Sequence, residues 1–341
     1  MQSHRYKIGG NYLVLLFLLI ILILSSFGFF YFGEVRINVL KVLLNNEINE
    51  KELFILYKIR LPRLILAISV GGILSICGAV LQGIFRNPMV EPFTLGISGG
   101  AALGISIAIS TGIVSYTGSI GLPIFGFIGS VFTIFLVYYL TVYDGIFSIN
   151  RMLLIGIMIS FISSSLITLI MSLSTKDDLF RIIYWTMGSL DESNALLIKS
   201  VFFSSIIGFI LIYIFSNSLN AIQLGQEKAE FLGINTQTTI RLLFIVTSLL
   251  TGICVSISGI IGFVGLIIPH TIKIIVGTDF RISLPASFLG GSILLVISDI
   301  IARTIISPNI LPIGVITGIV GGPIFILLLL NRYKKSNQNQ I

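Results

Sequence analysis

The chain reads as an all-α integral membrane protein of about ten transmembrane helices, and three observations carry that reading. Hydrophobic residues make up 55% of the 341 residues and charged residues only 10%, with a mean hydropathy of +1.05, outside what a water-soluble domain sustains. Asp, Glu, Lys and Arg are absent from 8–33, 64–85, 92–143, 152–175, 200–226, 242–272, 282–298 and 304–331. At about 1.5 Å per residue, roughly 20 residues cross a bilayer core of about 30 Å, so several of these runs hold two crossings. Short polar turns with proline or glycine separate the runs, and no polar stretch exceeds about thirty residues. A single transmembrane domain over 1–341 is therefore expected, without room for a nucleotide-binding domain.

The elements follow in order. The first run, 11–33, is long for a signal peptide and has no small-residue cleavage site, so it is expected to remain as the first helix. The second helix, 62–85, has 22 uncharged residues between Arg63 and Arg86, enough to span. Arg86-Asn87-Pro88 and Glu91-Pro92 end it, because proline lacks an amide donor and pushes the preceding residue out of the α region. In the third, 93–111, Gly96, Gly100 and Gly104 recur on one face, where another helix backbone can approach closely. Helices at 119–142, 151–173 and 196–217 come next, with a short external helix expected around Tyr184-Trp185. A polar loop at 219–237 precedes helices at 239–258, 259–277, 283–303 and 309–331. The seventh and eighth together hold fewer than forty residues, with Ser258-Gly259 and Gly262 between them, so at least one must be short, tilted or broken. Gly71 to Gly83 (GGILSICGAVLQG) echoes Gly252 to Gly262 (GICVSISGIIG). Five crossings apart, the two segments run in opposite directions, as in an inverted repeat.

Charge and motif content exclude several functions. The net charge is +7, but the basic residues are scattered through loops and form no stripe beside aromatics, which argues against nucleic-acid binding. With both termini inside, eleven Lys and Arg fall on cytoplasmic segments and ten outside, so the positive-inside bias decides little. The basic termini beside helix ends favour a cytoplasmic location for both. Cys77 and Cys254 lie in apolar helices as small hydrophobes, and no metal site is expected. There is no GxxxxGK[ST] phosphate loop, no catalytic constellation and no pair of mid-helix carboxylates for a proton relay. Any energy source must belong to a partner.

RLPR (60–63), GAVLQGIFRNPMVEP (78–92), LGISGGAALG (95–104), YWTMGSL (184–190), LGQEKAEFLGI (224–234), GIIGFVGLIIPH (259–270), SDIIAR (298–303) and LPIGVITGIVGGPIFILLL (311–329) resemble, in order, the permease subunits of iron-siderophore, haem and cobalamin ABC importers. The likeness covers nearly the whole chain and extends to the cobalamin importer permease. It implies a type II ABC importer permease with ten helices, both termini cytoplasmic, in the cell membrane. It further implies a second permease copy or paralogue, two cytoplasmic ATPase subunits that use ATP and Mg, and an extracytoplasmic substrate-binding protein. No cofactor is expected on this chain, and the implied cargo is a ferric siderophore or related chelate.

Residue roles follow from both sources. The loop 219–237 is the longest cytoplasmic one in this topology. It is expected to form two short helices parted at Gly225, stopping at Gly233 and Asn235, with Glu227, Lys228 and Glu230 on one side and Ala229, Phe231 and Leu232 on the other. Such a helix can lay its apolar face in a groove of a soluble partner. The resemblance assigns Leu224, Gly225, Glu227, Ala229, Phe231, Leu232 and Gly233 to ATPase coupling. Arg60 and Arg63 begin the second helix and Arg303 ends the ninth, where a guanidinium can snorkel to headgroups. The resemblance instead has them receive acidic residues of the binding protein, a task suited to a planar fork that grips a carboxylate with two bonds. Asp299 is placed to pair with Arg303 at i,i+4, and Pro269-His270 is expected near a helix end. Weakly polar Gln82, Asn87, Ser148 and Asn150 are candidates for the pathway or its cytoplasmic gate, although such serines also bond to their own helices. An ion-coupled secondary transporter is the main alternative, but it would need buried acids at mid-membrane, and Asp299 alone comes near. A structural or assembly protein would not need the long docking loop.

Overall fold

The computed structural model describes residues 2–33, 50–143 and 147–338, and within them the chain is helical, without strands. Thirteen α-helices organise it: α1 Gln2–Tyr31, α2 Leu61–Ile84, α3 Ile97–Ser110, α4 Gly121–Val142, α5 Ile149–Leu173, α6 Lys176–Thr186, α7 Ala195–Ile214, α8 Ser216–Gln223, α9 Gln226–Phe231, α10 Thr236–Ser258, α11 Val264–Val276, α12 Phe280–Thr304 and α13 Ile313–Gln338. Short helical turns, Glu50–Phe54 and the π-helical Ile55–Arg60, run straight into α2. Seven helices are long and apolar enough to cross a membrane, and Ile97–Ser110, Val264–Val276 and Ile313–Leu327 add three shorter apolar ones. Among the described residues these ten apolar helices agree with the expected count of about ten.

The first helix, expected at 11–33, begins already at Gln2, and the last, expected at 309–331, runs from Ile313 to Gln338. The other main differences from the sequence-based boundaries lie at breaks in the backbone. The third helix begins only at Ile97, because Pro92–Leu95 forms a 3-10 turn and Gly96, at φ +82°, caps it in the left-handed region. The expected eighth helix loses its start: Gly259–Phe263 is not helical, and α11 begins after Phe263, a non-glycine residue held at φ +69°. Pro269-His270 therefore sits inside α11 and does not end it. The sixth helix ends at Ile214, and α8 starts two residues later. Asn235, expected to help stop α9, instead accepts a hydrogen bond from the Thr238 amide as the N-cap of α10.

α2 is the most buried element and lies at the centre, against α12, α11, α10 and α7. Small residues permit this. A Cβ on Gly71 would strike the backbone carbonyl of Gly291 in α12, and one on Gly78 the carbonyl of Gly265 in α11, so the helices approach backbone to backbone. The internal echo has a structural counterpart. α2 packs on α12 as α10 packs on α4, and α2 on α11 as α10 on α3; the pairings among α3, α4 and α5 recur among α11, α12 and α13. α2–α5 and α10–α13 thus form two matching halves of opposite direction. The expected glycine face of α3 divides its work. Gly100 and Gly104 meet the backbone of α4 at Gly129 and Phe125, whereas Gly96 meets Gly156 of α5.

Candidate functional site

The functional candidates gather at two opposite ends of the bundle: an arginine end, where α2 begins and α12 finishes, and a loop end, where α8 and α9 lie. At the arginine end, Arg60, Arg63 and Arg303 are 4%, 4% and 8% exposed, and Asp299 is fully buried. The Arg63 and Arg303 Nε atoms each donate to a different oxygen of Asp299 at 2.7 Å. The expected i,i+4 pair is present, and Arg63 shares its acid. A carboxylate so deep in the protein needs both donors, since an unpaired buried charge is very costly.

The remaining guanidinium groups serve the end of α1. Arg303 lies 4.2 Å over the Phe29 ring and donates to the Phe32 and Phe29 carbonyls at 3.3 and 3.4 Å, while Arg60 donates to the Phe30 carbonyl. These oxygens belong to the last turn of a helix and the residue after it, where carbonyls lack intrahelical donors and the dipole favours cations. Asp191, 68% exposed at its side chain, stands 3.8 Å from Arg63. The three arginines, Asp191 and Ile310 line one depression of about 310 Å³. Three positive charges there face two negative ones. Asp191 also borders a larger cavity of about 730 Å³, lined by Phe180, Arg181, Tyr184 and Trp185 of α6 together with Glu192. The short helix expected around Tyr184-Trp185 is this α6.

At the loop end, Gly225 at φ +123° separates α8 from α9, and Gly233 at φ +81° follows α9. Leu224, Phe231 and Leu232 are 60%, 91% and 65% exposed, three large apolar side chains on a short polar segment that includes exposed Glu227. Ala229 does not share their face. It is fully buried within the main hydrophobic core, so it anchors α9 to the body. Glu230 accepts from the Thr236 hydroxyl at 2.5 Å, fastening α9 to α10.

The expected gate residues do not form one group. Asn87 closes an Asx turn, accepting from the Met89 amide at 2.9 Å. Its neighbour Arg86, at φ +49°, lies beside Gly225, so the turn after α2 touches the loop. Ser148 is the N-cap of α5 and Asn150 is exposed in its first turn. Gln82 is withdrawn into the core, 4% exposed, and donates to the Leu266 and Gly265 carbonyls at 2.9 and 3.3 Å. Pro269 explains this contact: it has no N–H to offer Gly265 four residues earlier, and Gln82 supplies the missing donor.

The sequence marks Glu91 only as part of the Glu91-Pro92 break. It precedes Pro92 in the re-entering segment between α2 and α3, and its carboxylate accepts the Phe263 amide at the start of α11. Burial pushes its pKa up to about 7, while that amide pulls the other way. A glutamate followed by proline in a turn between two spans was the available signal.

The FecCD transport family matches residues 16–331. The chain belongs to that family. Over 330 residues it is 35% identical to the hemin transport system permease protein HmuU of Yersinia pestis, covering 94% of this chain and 96% of that one. It is 38% identical over 285 residues to an ABC transporter permease of Bacillus subtilis, YvrB, covering 82% and 80%. The vitamin B12 import system permease protein BtuC of Salmonella arizonae is 38% identical over 283 residues, covering 82% and 83%. A solved metal-chelate type ABC transporter in an inward-facing conformation superposes with a TM-score of 0.84 at 30% identity, over 93% of this chain and 99% of that one. This FecCD protein is a multi-pass membrane ABC transporter permease with the ten-helix importer architecture.

Proposed function

We propose that this FecCD permease imports a metal chelate, a ferric siderophore or a related compound such as haem or cobalamin. Separate ATPase subunits using ATP and Mg drive it from the cytoplasm, and an extracytoplasmic binding protein feeds it. A second copy or a paralogue completes the pathway, and both termini are cytoplasmic. The observation that carries this reading is the separation of two unlike surfaces: a cationic depression at the arginine end and an exposed apolar triad, Leu224, Phe231 and Leu232, at the loop end. The depression fits acidic side chains of a binding protein, and the triad fits a groove on a soluble ATPase. The relatives' cargoes, hemin and vitamin B12, support the chelate class.

Reconstitution tests the reading. Permease, ATPase and binding protein in liposomes are expected to take up the chelate only with ATP. Arg60→Glu should weaken binding-protein docking at least tenfold, since it replaces an attraction with a repulsion and losing one partner of a desolvated charge pair alone typically costs about 2–5 kcal/mol. Phe231→Glu should release the ATPase and leave docking intact. Full docking by the first variant and full ATPase association by the second would refute the two assignments separately.

A further inference from the structure

We propose that Asn220 and Asp279 form a clamp that joins the coupling loop to a rigid α2–α12 pair, so that movement at the loop end is carried along α12 to the arginine cluster. The assignment of the two ends to ATPase and binding protein rests on the function proposed above; the clamp and its reach through the bundle do not.

The clamp is built from hydrogen bonds between α8 and the start of α12. Asn220 Nδ2 donates to Asp279 Oδ1 at 2.7 Å, and Asn220 Oδ1 accepts from the Phe280 amide at 2.8 Å. One turn away, Arg281 Nε donates to Asn217 Oδ1 at 2.7 Å. Asp279 is at the same time the N-cap of α12, accepting the Arg281 amide at 3.0 Å. A side-chain amide that both donates to a cap and accepts from the first helical residue fixes position and direction together. The start of α12 is thus held to α8, the helix that leads through Gly225 into α9.

From there α12 and α2 stay in contact at three levels. At the loop end, the Phe280 ring covers Gly83, where a Cβ would come within 2.5 Å of it. Midway, Gly71 and Gly291 meet backbone to backbone, and the Ser292 hydroxyl donates to the Ile68 carbonyl at 2.8 Å. At the arginine end, Asp299 binds Arg63 of α2 and Arg303 of its own helix. The 25 residues of α12 span about 37 Å at 1.5 Å per residue. Packed interfaces shift between discrete arrangements and do not shear continuously. A pair locked at both ends and the middle therefore moves as one body, and it links the two functional surfaces.

Hydrogen–deuterium exchange on the full-length chain in lipid nanodiscs tests the clamp without any partner. Asn220→Asp sets a second carboxylate against Asp279. Amide exchange is expected to rise at least twofold at 277–282 and also at the far end, 303–312, where the Leu311 amide is bonded to the Ala302 carbonyl. Combining Asn220→Asp with Asp279→Asn reverses the side-chain bond, with the new amide at position 279 donating and the new carboxylate at position 220 accepting. The exchange leaves an oxygen for each of the Phe280 and Arg281 amides, keeps a good N-cap, and should return both regions to wild type. If Asn220→Asp does not fold, Asn220→Ala gives the same readout by removing the bonds. A rise confined to 277–282 overturns the proposal, as does a far-end rise that the exchanged pair does not reverse. In reconstituted complexes the same variant should lower the ratio of binding-protein-stimulated to basal ATP hydrolysis at least threefold, and the exchanged pair should recover it. Absence of stimulation in the wild type would instead refute the importer reading, leaving the exchange result to stand alone.

Discussion

At the scale of single residues, Glu91 shows how a fold changes an ordinary side chain. In the unfolded chain its carboxyl ionises in the usual carboxylate range, but in the folded protein burial holds its pKa near 7. Between those values the unfolded state has lost a proton that the native state retains, so this group's contribution to stability falls as pH rises toward 7 and is constant above it. Glu91→Gln keeps an oxygen for the Phe263 amide and cannot ionise. The wild type should therefore lose stability relative to Glu91→Gln as pH rises from about 4.5 to 7, by at most about 3 kcal/mol. Thermal unfolding of both proteins in detergent across that range measures it, and a pH-independent difference would show that the carboxyl titrates normally. Gln82 carries a similar lesson with a different outcome. A polar residue near a helix end suggests a pathway position, yet its amide is shared between the Leu266 carbonyl and the Gly265 carbonyl that Pro269 leaves unpaired.

At the scale of elements, α3 and α4 depend on having no side chain where they cross. A Cβ on Gly100 would meet Thr133 and the Gly129 carbonyl of α4, the latter at 2.6 Å. Gly100→Leu must push the helices apart, and overpacking of this kind costs about 1–3 kcal/mol or more when backbone has to shift. The expected result is a clear loss of folded, monodisperse protein on size-exclusion chromatography; wild-type yield and transport would mean the α3–α4 contact is dispensable. Gly112, with open space around it but φ +71°, is limited by its backbone and not by packing. The glycine period in α3 was legible because close packing in a bilayer requires small residues. Which helix each glycine would meet was not, and Gly96 proved to be a left-handed hinge against α5.

At the scale of the whole molecule, Asp299 is where α1, α2 and α12 are tied together, directly or through its two arginines. Asp299→Ala would leave Arg63 and Arg303 buried without their shared counter-charge, and breaking such a network costs about 3–5 kcal/mol. Membrane-inserted protein should fall steeply. Asp299→Asn, which keeps an acceptor but no charge, should be intermediate. Equal levels for all three proteins would show that the arginines find other partners. The two matching halves explain why buried groups concentrate along α2, which packs on α10 of the other half and on both α11 and α12.

Legible in the sequence were the membrane class, a count of about ten spans, the break between the seventh and eighth helices, the two-part loop at Gly225 and the Asp299–Arg303 pair. Each of these is local or periodic: a span needs an unbroken apolar run, a turn needs a residue that tolerates its backbone, and an i,i+4 pair needs only one helix. Tertiary structure alone decided that Arg63 shares Asp299 across 236 positions, that Ala229 faces inward while Phe231 faces out, that Gln82 serves α11, and that Asn220 grips the cap of α12. In an apolar run nearly every face is hydrophobic, so the pattern that normally separates inside from outside is missing. Glycine contacts, orphaned carbonyls and buried charges then choose the partners, and those are properties of helix pairs and not of helices.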